Sequence, residues 1–107
     1  MNKMITEAFK PLGIPVVFNR YKGSSDVYAV FKIQEINIDN SDDSNESEMG
    51  LCYFDFWYRK PEDYTLYQQI KKIIKDNENM NFRNSNDLDS DDFRGKAITF
   101  RIRKNII

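Results

Sequence analysis

The chain has 107 residues, a formal net charge of −1, 40% apolar content and 31% charged content. That length suits one domain, residues 1–107, with its own core but more surface in proportion than a larger protein. Histidine is absent and cysteine occurs once, which excludes Ser-His-Asp and Cys-His nucleophilic systems, His-bearing zinc sites and any disulfide within the chain.

Met4, Ile5, Ala8, Phe9 and Leu12 recur at helical spacing and predict a short helix over residues 2–12 with one apolar face. Pro11 and Gly13 bracket its end, and Pro15 keeps the following residues extended. Val16, Val17 and Phe18 predict a brief strand, and the polar turn NRYKGSSD leads to a longer one, VYAVFKIQEINI, over 27–38. Next comes an acidic segment, 39–48, holding Asp39, Asp42, Asp43, Glu46 and Glu48 without a base. It reads as a solvated loop before an aromatic strand at 50–59.

Over 63–76 the period changes. Leu66, Ile70, Ile73, Ile74 and Asn77 define a helical stripe with Tyr67 at its margin. Pro61, Glu62 and Asp63 suit the start of this helix and its late lysines suit the end. A short strand is expected at 80–83, then a second acidic loop over 84–92. The final strand, AITFRIR over 97–103, alternates Ile98, Phe100 and Ile102 with Thr99, Arg101 and Arg103. Strands joined mostly by loops predict an α+β fold: a mainly antiparallel sheet with two helices packed on one face. No apolar run approaches the roughly 18 residues of a membrane span, and there is no signal-peptide core. With one cysteine, the expected setting is a reducing cytoplasm.

Enzymatic readings are left mainly with carboxylates. DLDSDD spaces Asp87, Asp89 and Asp91 like the first half of a calcium loop, but the sixth position is Asp92 and the twelfth Ile98, where glycine and a bidentate glutamate are needed. The scattered glycines build no phosphate-cradling loop. No cofactor, metal or catalytic residue is expected, and the protein is read as no enzyme. Two acidic loops and one basic strand, carrying Arg94, Lys96, Arg101, Arg103 and Lys104, do not make the one-sided basic field of a nucleic-acid binder.

The aromatic strand separates by period two. Cys52, Phe54, Phe56 and Tyr58 point one way, toward the helix-covered core, while Leu51, Tyr53, Asp55 and Trp57 point the other. Tyr and Trp around one carboxylate match the composition favoured at interface cores. Two expectations stand side by side. Either a loop of the same chain covers this patch, with Asp55 paired to Arg101 or Arg103 across the sheet, or the patch is an interface. On the second, the candidate interface residues are Tyr53, Asp55, Trp57, Arg101 and Arg103.

LGIPVVF after a short helix, DVYAVFKI, GLCYFDFWYRKPEDYTLYQQIKKII and a final AITFRIR together resemble the tail-terminator, or tail-completion, proteins of long-tailed phages and prophages. The likeness lies in their order and spacing over most of the chain, and the two acidic segments depart from it. It implies an α+β structural protein without catalysis, assembled as a homo-hexameric ring on the head-proximal end of the tail tube. Its partners would be other copies of itself, the tail tube protein and a head-completion protein, with DNA passing through the lumen without specific binding. It would be made in the bacterial host cytoplasm and end in the virion. The alternatives are another head–tail connector or neck protein, or a nucleic-acid-binding module using the basic strand.

Overall fold

A computed structural model describes residues 2–36 and 47–105. Helix α1 spans Asn2–Ala8 and is followed by a 3₁₀ turn, Lys10–Leu12. The expected single helix over 2–12 is thus interrupted where Pro11, lacking an N–H, cannot continue the α ladder. Gly13, at φ 71°, closes the turn by donating its N–H to the Lys10 carbonyl; a left-handed residue at this place favours glycine.

Strand β1, Val16–Phe18, pairs in parallel with β2, Val27–Ile36, and β2 pairs antiparallel with β3, Ser47–Tyr58. A 3₁₀ turn at Pro61–Tyr64 opens helix α2, Thr65–Asp76. Strands β4, Met80–Ser90, and β5, Phe93–Asn105, then form a hairpin. The described residues make one sheet in the order β1-β2-β3-β5-β4, antiparallel except at β1–β2. This is an α+β fold.

The expected acidic loop over 84–92 is corrected by β4. The short strand expected at 80–83 continues to Ser90 past an irregularity between Phe82 and Asn84, and only Asp91 and Asp92 turn the chain, with Asp91 at φ 43°. Backbone pairing to β5 holds these residues extended, and an edge strand tolerates polar side chains that would read as a loop. Of the other acidic segment, 39–46 lies outside the described residues, whereas Ser47 and Glu48 begin β3.

Both helices lie on one face of the sheet. Ile5, Phe9 and Leu12 on one side, and Tyr67, Ile70 and Ile74 on the other, join a single buried cluster with Phe31, Phe54, Phe56, Ile98, Phe100 and Ile102. The Phe9 ring centre is 4.5 Å from that of Phe54 and 6.0 Å from that of Phe100, so α1 is pinned over the middle of the sheet. Burying each such side chain contributes roughly 1.5–3 kcal/mol before entropy is counted. Tyr67, expected at the margin of the helical stripe, is buried. Its hydroxyl lies 2.6 Å from Ser85 Oγ, and β4 supplies that partner. Among the described residues no helix is long and apolar enough to cross a membrane.

Candidate functional site

Register fixes what each residue of β3 faces. Cys52, Phe54 and Phe56 are fully buried beneath the helices, as the alternation predicts. Burial, and secondarily the Asp55 charge, pushes the Cys52 thiol far above its ordinary range, so it stays protonated and unreactive. Leu51, Tyr53, Asp55 and Trp57 share the opposite face with Tyr28, Val30 and Lys32 of β2 and with Ala97, Thr99, Arg101 and Arg103 of β5. The helices leave this second face open.

Tyr53 remains 41% exposed, and its hydroxyl donates to Gln34 Oε1 at 2.8 Å. Trp57 stands between Tyr28 on β2 and Gly95 on β5. A Cβ on Gly95 would lie 3.3 Å from Trp57 Cε3 and 2.2 Å from the Phe56 carbonyl oxygen. The indole therefore rests on bare backbone, where only glycine leaves room.

Asp55 sits half-buried between Val30 and Ala97. Its pairing with Arg101 or Arg103 across the sheet is not formed. The register sets Arg101 opposite Leu51 and Arg103 opposite Met49, well down the strand from Asp55. Among the described residues Asp55 has no ion pair. Desolvation raises its carboxyl above the ordinary aspartate value, only partly offset by Lys32 on the neighbouring strand. Arg101 is also incompletely satisfied, since its Nε is buried without a hydrogen-bond partner. Arg103 is exposed, and its backbone N–H donates to the Asn79 carbonyl at 2.8 Å. The five residues expected at an interface thus share one face, but Asp55 and Arg101 occupy separate places on it.

A loop of the same chain covers one end of the face, which meets the first of the two expectations in part, although the residues that do so were not foreseen. Tyr21 stacks on Tyr28 with ring centres 4.3 Å apart, and Tyr28 meets the edge of Phe93 at 5.7 Å. Arg59 lies over Phe93 at 4.6 Å and pairs with Asp26 at 3.1 Å. The aromatic content of NRYKGSSD is one tyrosine, so only the position of Tyr28 on β2, directly opposite Trp57, could have pointed to the cluster.

On the helix side, Lys96 forms an ion pair with Asp87 across the β4–β5 hairpin. Its ammonium also lies 5.0 Å from the Tyr67 ring centre and 5.8 Å from that of Tyr64. The hydrogen bond to Asp87 is the main cause raising the Lys96 ammonium above its ordinary range. Lys96, Asp87 and Tyr64 edge a shallow cleft of about 450 Å³ that also includes Tyr58 and Arg94. The described residues contain no group of three or more acidic or thiol side chains placed to hold a metal ion.

The architecture defines a small α+β protein in which, among the described residues, helices cover one face of the sheet and only a loop covers one end of the other. No protein-family model matches the chain, and no curated protein does. A solved structure with 11% sequence identity superposes with a TM-score of 0.62, covering 100% of this chain and 96% of its own. A likeness at that identity shows the fold alone.

Proposed function

We propose that the protein is a structural phage tail-terminator, or tail-completion, protein. It assembles with itself into a ring, expected to be hexameric, that caps the tail tube and offers a docking surface to a head-completion protein. DNA passes through the lumen without specific binding, and no chemistry is performed. The sequence resemblance supports this reading, and one structural observation carries it. Among the described residues, the sheet's second face combines large aromatic side chains with incompletely satisfied charges and has no helix over it. Such a face is suited to contact rather than catalysis. A closed ring needs heterologous contacts between identical subunits, and a protein that ends a tube needs a further surface for the tube.

The test is a capping assay. Purified protein added to polymerising tail tube subunits should halt elongation and be seen as a ring at one tube end by electron microscopy. Tubes that elongate without limit and carry no ring would overturn the proposal. Binding to DNA that falls steeply with salt would instead favour a nucleic-acid-binding module.

A further inference from the structure

Asp55 and Arg101 are opposite charges on the sheet face that carries no helix, and among the described residues neither forms an ion pair. We infer that, away from a tail tube, two copies of the chain pack these open faces together about a two-fold axis, with Asp55 of each copy meeting Arg101 of the other.

The geometry permits this directly. Asp55 lies opposite Ala97, Leu51 lies opposite Arg101, and the Tyr53–Thr99 pair falls between them. An axis in the plane of the interface, over the Tyr53–Thr99 pair and perpendicular to the Asp55–Arg101 diagonal, exchanges the two positions. Each contact is then made twice, as an isologous interface requires. At about 3.3 Å per residue and about 4.8 Å per strand the two backbone positions are roughly 14 Å apart, too far to pair within one subunit.

Size fits a weak, concentration-dependent dimer. The twelve residues of β3 extend about 40 Å and the four long strands span about 14 Å, so with the end under Tyr21 set aside the face is roughly 500 Å². A standard interface buries about 800 Å² per partner, and weak or transient ones less. Two sheets packed this way lie about 10 Å apart with their side chains interleaved, which would bring Tyr53 and Trp57 out of water. The inference draws on the same face as the capping reading but concerns the free protein, before any tube is met.

The experiment measures solution mass from micromolar to millimolar concentration by sedimentation, for the wild type and two charge reversals, Asp55→Lys and Arg101→Glu. Each reversal alone should weaken dimerisation by about tenfold or more, through like charges brought together. An equimolar mixture of the two variants should dimerise again. In the mixed dimer the introduced lysine of one copy faces the introduced glutamate of the other, and the remaining Arg101 faces the remaining Asp55. Neutral changes, Asp55→Asn and Arg101→Gln, give a milder form of the same test if a reversed chain fails to fold, and circular dichroism reports folding throughout. A wild type that stays monomeric, a wild-type dimer indifferent to these substitutions, or a mixture that remains monomeric would each overturn the inference. The capping assay on the same variants separates the two readings. Monomeric variants that still end tubes would leave the terminator reading intact, whereas a wild type that dimerises as described but never ends tubes would remove it alone.

Discussion

Replacing Gly95 with alanine should destabilise the protein, although glycine within a strand is ordinarily a weakness. Removing a glycine usually stabilises by about 0.4–1 kcal/mol through the unfolded chain. Here the added Cβ would stand 2.2 Å from the Phe56 carbonyl oxygen, where an ordinary carbon–oxygen contact is about 3.3 Å. Backbone, not a flexible side-chain end, has to yield by about 1 Å. Opening β3 from β5 by that much weakens about two ladder hydrogen bonds, each contributing about 0.5–1.5 kcal/mol and costing more if left buried and unmade. It also lifts the indole of Trp57, 3.3 Å from the same Cβ. With the entropic gain subtracted, the net loss is about 2–4 kcal/mol. Trp57 is the only tryptophan, so urea denaturation followed by its fluorescence reports both stability and local solvation. The expected result is a lower midpoint and a red-shifted native emission. Gly13→Ala is the control: it meets nothing within 4 Å but carries φ 71°, so it should lose about 1–2 kcal/mol with no change in native emission. A Gly95→Ala protein as stable as wild type, with unchanged emission, would refute the reasoning about close approach.

Phe54→Ala should cost about 3–5 kcal/mol, because Phe54 is fully buried against Phe9 and Phe100; a loss under about 1 kcal/mol in chemical denaturation would show that the core does not centre there. Tyr67→Phe should cost about 1 kcal/mol by removing the bond to Ser85, and hydrogen exchange should quicken in β4 more than in β2. For Asp55 the folded carboxyl is raised above its unfolded value, so the folded state binds the proton more tightly. The charge therefore lowers stability above the raised value, and the penalty fades as pH falls through it toward the ordinary 3.8. Asp55→Asn should accordingly raise the Tm of the monomer at pH 7, with the gain shrinking toward pH 4; a gain that persists in acid, or a loss at neutral pH, would contradict the desolvated environment.

Alternation in β3 made its two faces legible from sequence, because one face had to satisfy a dry core and the other did not. Phe54 and Phe56 could only be inside, and Asp55 could only be outside. Helix α2 was legible for a similar reason, through Ile70 and Ile74. Its edge was misjudged, since Tyr67 is drawn inward by a hydroxyl partner on a strand read as loop. That strand, β4, hid because its side chains are mostly solvated and its extension comes from backbone pairing with β5. Asparagine, aspartate and serine there satisfy turn chemistry equally well. The partners of Asp55 were illegible for another reason. Strand register is a relation between distant segments, and nothing in AITFRIR states that Arg101 will meet Leu51 rather than Asp55. The covered end of the open face depended on the path of the loop before β2, where Tyr21 carries no periodic signal.

The strand order β1-β2-β3-β5-β4 also bears on how the protein is made. A ribosome delivers β3 directly after β2, but the strand that flanks β3 on its other side arrives only after α2 and β4 have been synthesised. During that interval the most aromatic segment of the chain presents an unpaired edge, the kind of template on which nascent chains associate. Helix α2, formed quickly from local contacts, can shelter the Phe54 side of β3 in the meantime, but it does not satisfy the edge. Slow elongation through 59–92 would therefore lengthen the exposure, and a chain stalled before Phe93 should be a stronger substrate for chaperones than one stalled before Ser47.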